Sequence, residues 1–261
     1  MKKALSVILT LGVAVSALAG CGSANQNAAP AAQSASVKHF TIATDTVFKP
    51  FEYTDDSGAF VGIDVDLLAA IAENQGFTYE LKSVGWDSAI AACQAGQADG
   101  MIAGASITEE RKSSGWIFSD GYYQATQCMT VSVGSDIAGF ADLDGKTVAV
   151  KTGTQGAAYA ESLRDTYHFD LIYMDDSPTM YQTVTGGQAV ACFEDTPIMA
   201  ASIKDGGLPL KIVEGSENDG APYGFAVFSA DKQELIDLFN AGLSNIKANG
   251  VYDKILAKYL G

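Results

Sequence analysis

Histidine, tryptophan and arginine are scarce in this chain of 261 residues, two of each. With only His39 and His168, and no clustered Cys/His spacing, neither a metal site nor any other cofactor is expected. Cysteine is almost as sparse. Cys21, Cys93, Cys128 and Cys192 are too few and too widely spaced for a disulfide framework, and the last three are expected as small buried thiols in apolar segments such as Val190-Ala191-Cys192-Phe193. Positive charge is also short: 16 Lys and Arg stand against 31 Asp and Glu, a net −15 that repels phosphate backbones and excludes nucleic acid as a partner. Apolar runs long enough to cross a bilayer are missing except near the start. Catalytic signatures are missing as well. The chain has no G-x-S-x-G elbow, no G-x-x-x-x-G-K-[ST] loop and no G-x-G-x-x-G fingerprint.

What is present begins with Lys2, Lys3, an apolar stretch from Ala4 to Ala19 and the tetrapeptide Leu18-Ala19-Gly20-Cys21, the layout of a secretory signal over residues 1–20. Those four residues resemble the lipobox of bacterial lipoproteins, which implies acylation of the Cys21 thiol and an extracytoplasmic protein anchored to the cell membrane by lipid. Loss of Lys2 and Lys3 with the signal would take the charge to −17. Residues 22–36 hold Ala, Asn, Gln, Ser and Pro without a large apolar side chain, so they bury too little to offset the entropy of ordering and read as a tether.

Beyond residue 36 short apolar strands alternate with capped helices, an α/β pattern. Strands are expected at His39–Ala43, Tyr79–Lys82, Gly100–Gly104, Thr147–Lys151 and Ala189–Phe193. Helices are expected from Asp64, as cap, to Asn74, from Asp87 to near Gly96, briefly after Thr108, and from Ala157 to Leu163. Asp231 and Glu234 form an acidic capping box ahead of Leu235, Leu238, Phe239, Leu243 and Ile246, which share one helical face. Gly96-Gln97-Ala98-Asp99-Gly100 and Gly187-Gln188-Ala189-Val190-Ala191 look alike, which supports two lobes of related topology. Lys151-Thr152-Gly153-Thr154-Gln155-Gly156 is a strand-to-helix turn whose backbone N–H groups suit a small anion.

From Phe40 to Gly261 a series of motifs stands in order: Ala43-Thr44-Asp45-Thr46-Val47-Phe48-Lys49-Pro50-Phe51-Glu52-Tyr53, Val61-Gly62-Ile63-Asp64-Val65-Asp66, and Ala103-Gly104-Ala105-Ser106-Ile107-Thr108-Glu109-Glu110-Arg111. Phe118-Ser119-Asp120-Gly121-Tyr122-Tyr123, Lys151-Thr152-Gly153-Thr154, Glu194-Asp195-Thr196-Pro197, Tyr223-Gly224-Phe225-Ala226 and Gly250-Val251-Tyr252 follow. This series resembles the polar amino-acid binding proteins of ABC importers, the glutamine, arginine and lysine/arginine/ornithine receptors. The resemblance implies the type II periplasmic binding protein fold: two α/β lobes, each a mainly parallel sheet flanked by helices, joined by two crossing segments. Lobe 1 would hold residues 37–122 and 224–261 and lobe 2 residues 126–219. The hinges would lie near 121–125 and 219–224, where Gly121, Gly220 and Gly224 tolerate backbone change.

The resemblance also assigns roles. Arg111 would grip a ligand carboxylate, aided by backbone near Ala105 and Ser106 and by the turn Thr154, Gln155 and Gly156. Asp195, the Gly104 carbonyl and the Ser106 hydroxyl would hold the ammonium, and Phe48 and Trp86 would sandwich the aliphatic stem. Asp45, Lys151 and Glu194 would face the distal group. Asp45 with Lys151 suits the amide of glutamine, ranked first, whereas Glu194, standing where glutamine receptors place His, and Gln155 lean toward arginine or lysine. The implied protein is a monomer and no enzyme, with an ABC permease and ATPase as partners. Two alternatives stay open: a dehydratase of cyclohexadienyl or arogenate type on the same fold, with Glu194 as general acid, and a ligand sensor for a membrane receptor. Replacing Cys21 with Ser is expected to abolish incorporation of a labelled fatty acid into the protein, and continued labelling would exclude Cys21 as the anchor.

Overall fold

The structure, a computed structural model, describes residues 37–261, so the expected signal at 1–20, the expected acylation site at Cys21 and the expected tether at 22–36 lie outside the described residues. Strand β1 (His39–Thr44) is followed by a small ribbon of β2 (Tyr53–Thr54) and β3 (Phe60–Val61) and by helix α1 (Ile63–Gln75). Strand β4 (Thr78–Ser83), helix α2 (Trp86–Gln94), strand β5 (Gly100–Met101), helix α3 (Glu109–Ser113) and strand β6 (Ile117–Phe118) come next. The chain then leaves this lobe along β7 (Tyr123–Ala125).

The second lobe comprises β8 (Gln127–Ser132), β9 (Thr147–Lys151), α4 (Gln155–Tyr167), β10 (Asp170–Met174), α5 (Ser177–Thr185), β11 (Ala191–Asp195), α6 (Thr196–Lys204) and β12 (Leu210–Ile212). The return runs along β13 (Ala221–Tyr223), antiparallel to β7 with Ala221 opposite Ala125. Strand β14 (Ala226–Val227) and helices α7 (Gln233–Ala248) and α8 (Val251–Leu260) then complete the first lobe.

The two sheets are built alike. One has the order β4-β1-β5-β14-β6 and the other β10-β9-β11-β8-β12. In each, four of the five strands point the same way and one, β14 or β8, runs antiparallel to both of its neighbours, so each mainly parallel sheet is mixed at that one member. The antiparallel members are the strands next to the crossings, β14 and β8, whose direction is set by entry from the other lobe.

Local chemistry accounts for most boundaries, and three expectations need correction. Asp64 does not cap α1; Gly62 does, at φ 144°, and a Cβ there would meet the Phe51 carbonyl oxygen at 2.0 Å. The expected box of Asp231 and Glu234 is replaced by a 3₁₀ turn over Ala230–Lys232, with no side-chain cap on α7. Helix α4 starts earlier than Ala157, at Gln155, because the Thr154 hydroxyl accepts the Ala157 N–H and so caps it. Thr108 caps α3 in the same way, accepting from the Arg111 N–H.

Each lobe has its own buried interior. Around Ile42, Phe51, Leu67, Leu68, Ile71, Phe225 and Phe239 the first lobe buries α1 and α7 against its sheet, with Gly242 admitting the approach to Ile71. Met129, Val148, Val150, Phe169 and Phe193 fill the second. Cys93, Cys128 and Cys192 are buried free thiols, and burial pushes Cys93 and Cys128 up to about 12. Between the lobes Gly220 adopts φ 68°, and a Cβ on it would lie 1.9 Å from the Ala125 carbonyl oxygen. Gly220→Ala should therefore cost roughly 2 kcal/mol or more in a thermal melt, against about 1 kcal/mol for Gly76→Ala, where φ is also positive but space is open. Equal losses would show that the crossing tolerates a side chain.

Candidate functional site

Side chains at the carboxyl ends of parallel strands converge where the two sheets face each other, the usual crevice of open α/β sheets. Asp45 follows β1, Ala103 to Ser106 follow β5, Lys151 ends β9, and Glu194 and Asp195 end β11. Helix α3 adds Arg111, α2 adds Trp86, and the turn after β1 adds Phe48. Together with Thr154 and Gln155 they line one tight cleft with about 20 Å³ of free space.

Charges from the two lobes meet inside it. Lys151 Nζ lies 2.5 Å from Asp45 Oδ2, both side chains being nearly inaccessible, and Lys151 also sits 5.5 Å from the centre of the Phe48 ring. Arg111 donates to the Ser106 carbonyl at 2.9 Å and, across the cleft, to the Gly153 carbonyl at 3.2 Å. Its guanidinium lies 5.1 Å from the ring centres of both Trp86 and Trp116. Burial lowers Arg111 to about 10, still far above neutrality, so it stays a cation with donors left over.

The two adjacent acids are held differently. Glu194 accepts from Ser177 Oγ at 2.8 Å, Tyr181 Oη at 3.0 Å and the Asp195 N–H at 3.0 Å. Asp195 accepts from Gln127 Nε2 at 2.6 Å and from the Tyr223 hydroxyl. Burial first, then the neighbouring Glu194 charge, raises Asp195 to about 7. A cationic group brought to it would restore its charge.

The cleft gathers Asp45, Phe48, Trp86, Gly104, Ser106, Arg111, Lys151, Thr154, Gln155, Glu194 and Asp195, residues that the sequence motifs single out. Two others do not reach its wall. Ala105 is fully buried behind it, its carbonyl accepting the Gly224 N–H at 2.9 Å. Gly156 packs on β11, where a Cβ would meet the Phe193 carbonyl oxygen at 2.7 Å. Its glycine answers to helix–strand packing. Sequence reasoning missed Ala103, which lines the cleft, and the supporting donors Ser177, Tyr181, Gln127 and Tyr223. Tyr223 stands in a quoted motif, but nothing local marks the other three. Among the described residues no metal-binding cluster of His, Cys, Asp and Glu occurs, and no helix is long and apolar enough to cross a membrane.

Two similar lobes with a dry, doubly charged cleft between them define a two-lobed binding protein. The chain belongs to the bacterial extracellular solute-binding proteins, family 3, whose profile matches residues 40–261. It is 31% identical over 264 residues to a probable histidine-binding protein of Neisseria gonorrhoeae, covering 99% of this chain and 96% of that one. Among solved structures, an ancestral arginine-binding protein, determined with arginine and with glutamine, is 34% identical with a TM-score of 0.78, covering 85% of this chain and 98% of its own. The second substrate-binding domain of GlnP from Lactococcus lactis, in an open conformation, is 38% identical with a TM-score of 0.59, covering 86% and 96%.

The buried thiols of the two lobes give a check on their packing. In residues 37–261 at about pH 8, Cys93, Cys128 and Cys192 should resist Ellman's reagent until denaturant is added. Rapid labelling of the native protein would contradict the closed interior.

Proposed function

We propose that this chain is the lipid-anchored extracytoplasmic receptor of an ABC importer and closes over one polar amino acid, glutamine in the first place. The observation that carries this reading is the placing of Arg111 and Asp195, one cation and one anion from opposite lobes, in a single buried cleft. A zwitterion needs both, and water is excluded. Arg111 pairs with the carboxylate, helped by the opening turn of α4, while Asp195, the Gly104 carbonyl and the Ser106 hydroxyl take the ammonium. Phe48 and Trp86 hold the stem, and the buried Trp86 Nε1, without a hydrogen-bond partner, remains available as a donor.

The distal group meets Asp45, Lys151 and Glu194. One observation favours arginine or lysine: the lining charges, with Arg111 and Asp195, sum to −1, and a cationic side chain would bring the site to neutrality. Names among the relatives and the arginine-bound ancestral structure lean the same way. Against this, Lys151 would repel such a cation by about 4 kcal/mol at 4 Å and an effective dielectric of 20, as much as Glu194 would attract it at the same distance. Lys151 thus offsets one of the two distal acids, and the hydrogen-bonding pattern weighs for the amide. An acceptor at Asp45 beside a donor at Lys151 matches a carboxamide, and the same ancestral protein is also solved bound to glutamine.

Closure about the paired strands β7 and β13 would present both lobes to a permease and its ATPase. Support for a closed arrangement here comes from the lower TM-score of the more identical open-form domain than of the less identical ligand-bound ones. A dehydratase is not favoured, because Ser177, Tyr181 and the Asp195 N–H already engage the Glu194 carboxyl and hold it in the cleft wall.

Calorimetric titration of refolded residues 37–261 with glutamine, arginine, lysine and histidine tests the reading. Glutamine should bind one-to-one and tightest, and Arg111→Ala should weaken it at least about 100-fold. Preference for arginine would transfer the deciding role to Glu194, and silence toward every amino acid would overturn the receptor. The ammonium requires Asp195 ionised, and Asp195 is held up to about 7. Affinity should therefore be full above pH 7 and fall, by up to about tenfold per unit, as pH drops below it. A flat profile between pH 5 and 8 would exclude Asp195 as the ammonium partner.

A further inference from the structure

Beneath the cleft lie two carboxyl groups that the proposed binding roles do not use. Glu52 and Asp64 are both 0% exposed. The capping turn of α1 forces them together: the Ile63 N–H bonds to the Pro50 carbonyl at 3.0 Å and the Asp64 N–H to the Phe51 carbonyl at 2.9 Å. Asp64 Oδ2 accepts from the Gly104 N–H at 2.9 Å and from the Tyr122 hydroxyl at 2.8 Å. Asp64 Oδ1 and both Glu52 oxygens are buried without any donor. Three unpartnered carboxylate oxygens in one dry spot, with no ion pair to either side chain, would cost far more than a fold of ordinary stability can sustain.

We infer that Glu52 is carried as the protonated acid and donates to Asp64, so that the pair holds a single proton and fixes Gly104 at the floor of the cleft. Asp64 is the member that keeps its charge, since it has two donors and sits in the first turn of α1, where the helix dipole favours an anion. The groups facing Glu52 are Asp64, Tyr122, Asp45 and Lys151. Burial above all, then the Asp64 and Asp45 charges, raise Glu52 well above its ordinary 4.5, with Lys151 opposing; burial raises Asp64 only to about 6. The order agrees with the geometry.

Gly104 is the link to the site. It holds φ 56°, and a Cβ on it would strike Phe48 at 2.4 Å, so a small drift of this residue would move the aromatic wall. Glu52 is thus a positioning residue: its proton secures Asp64, Asp64 secures Gly104, and Gly104 sets the approach of Phe48. The positioning role rests on the reading of the cleft as a solute site, whereas the proton does not.

Infrared spectroscopy of the full chain reads the proton without any ligand. The C=O stretch of a protonated carboxyl should persist at about pH 8, where ordinary carboxyls are ionised, and should vanish in Glu52→Gln, whose amide donates to Asp64 in the same way. Its absence in the wild type, or its survival in the variant, would overturn the inference. The pH dependence of melting provides a second reading. Because the folded state holds this proton more tightly than the unfolded chain, its contribution to stability is full below about 4.5 and is lost as pH rises toward the folded value. Glu52→Gln should remove that decline, and an unchanged slope would count against the pair. Binding of glutamine should stay within about twofold in Glu52→Gln and fall at least about tenfold in Glu52→Leu, which cannot donate. Equal affinity in both would remove the positioning role and leave the proton to the infrared result; a protein that bound no amino acid at all would still show or lack the band.

Discussion

A charge taken out of water must find its complement, and in this protein the complements lie on opposite lobes. Asp45 belongs to the first sheet and Lys151 to the second; Arg111 reaches from α3 to the Gly153 carbonyl beyond the cleft. Either lobe alone would leave these groups hydrated. Face to face they replace the water, and since buried ion pairs gain little net energy over apolar packing, their value lies in register. A lobe displaced sideways would leave a charge unpaired at a cost of about 3–5 kcal/mol, which permits one closed arrangement and rejects near neighbours.

The rest of the architecture serves that juxtaposition. Parallel strands deliver their carboxyl ends, with Asp45, Lys151, Glu194 and Asp195, to one crevice. Tight backbone approaches make the delivery rigid: Gly62 against Phe51, Gly156 against Phe193 and Gly220 against Ala125 leave no room for a Cβ. Behind the acids stands a set of neutral donors, Gln127 and Tyr223 for Asp195, Ser177 and Tyr181 for Glu194. These donors let adjacent carboxylates coexist in a dry place where they would otherwise repel. The neighbouring rings of Trp86 and Trp116, both 5.1 Å from the Arg111 guanidinium, do the same for the cation.

Much of this was legible in the sequence, because the signals were short-range. Apolar runs located β1, β9 and most of β11, and Thr108 announced α3 with the hydroxyl that caps it. Positions of Asp45, Phe48, Trp86, Arg111, Lys151, Glu194 and Asp195 in ordered motifs were enough to anticipate their meeting. What could not be read depends on distant partners. Nothing near Gln127 tells that it faces Asp195 across β8 and β11, and nothing near Glu52 tells that it will meet Asp64. Nor does chain position tell that Ala105 bonds to Gly224 and Gly156 packs on β11, both away from the cleft wall. The single antiparallel strand of each sheet, β8 or β14, was not legible either, because its direction follows from the route of the chain, a global property.

Strands β7 and β13 carry one more implication. They lie side by side with Ala125 opposite Ala221, so the chain enters and leaves the second lobe at points about 5 Å apart. In modular terms everything between them is a cassette: both of its ends emerge together, neither terminus of the chain belongs to it, and its interior around Phe193 is its own. A lobe wired in this way can be exchanged as a unit between relatives, which would let the half bearing Lys151, Glu194 and Asp195 diversify while the half bearing Asp45, Phe48 and Arg111 stays as it is.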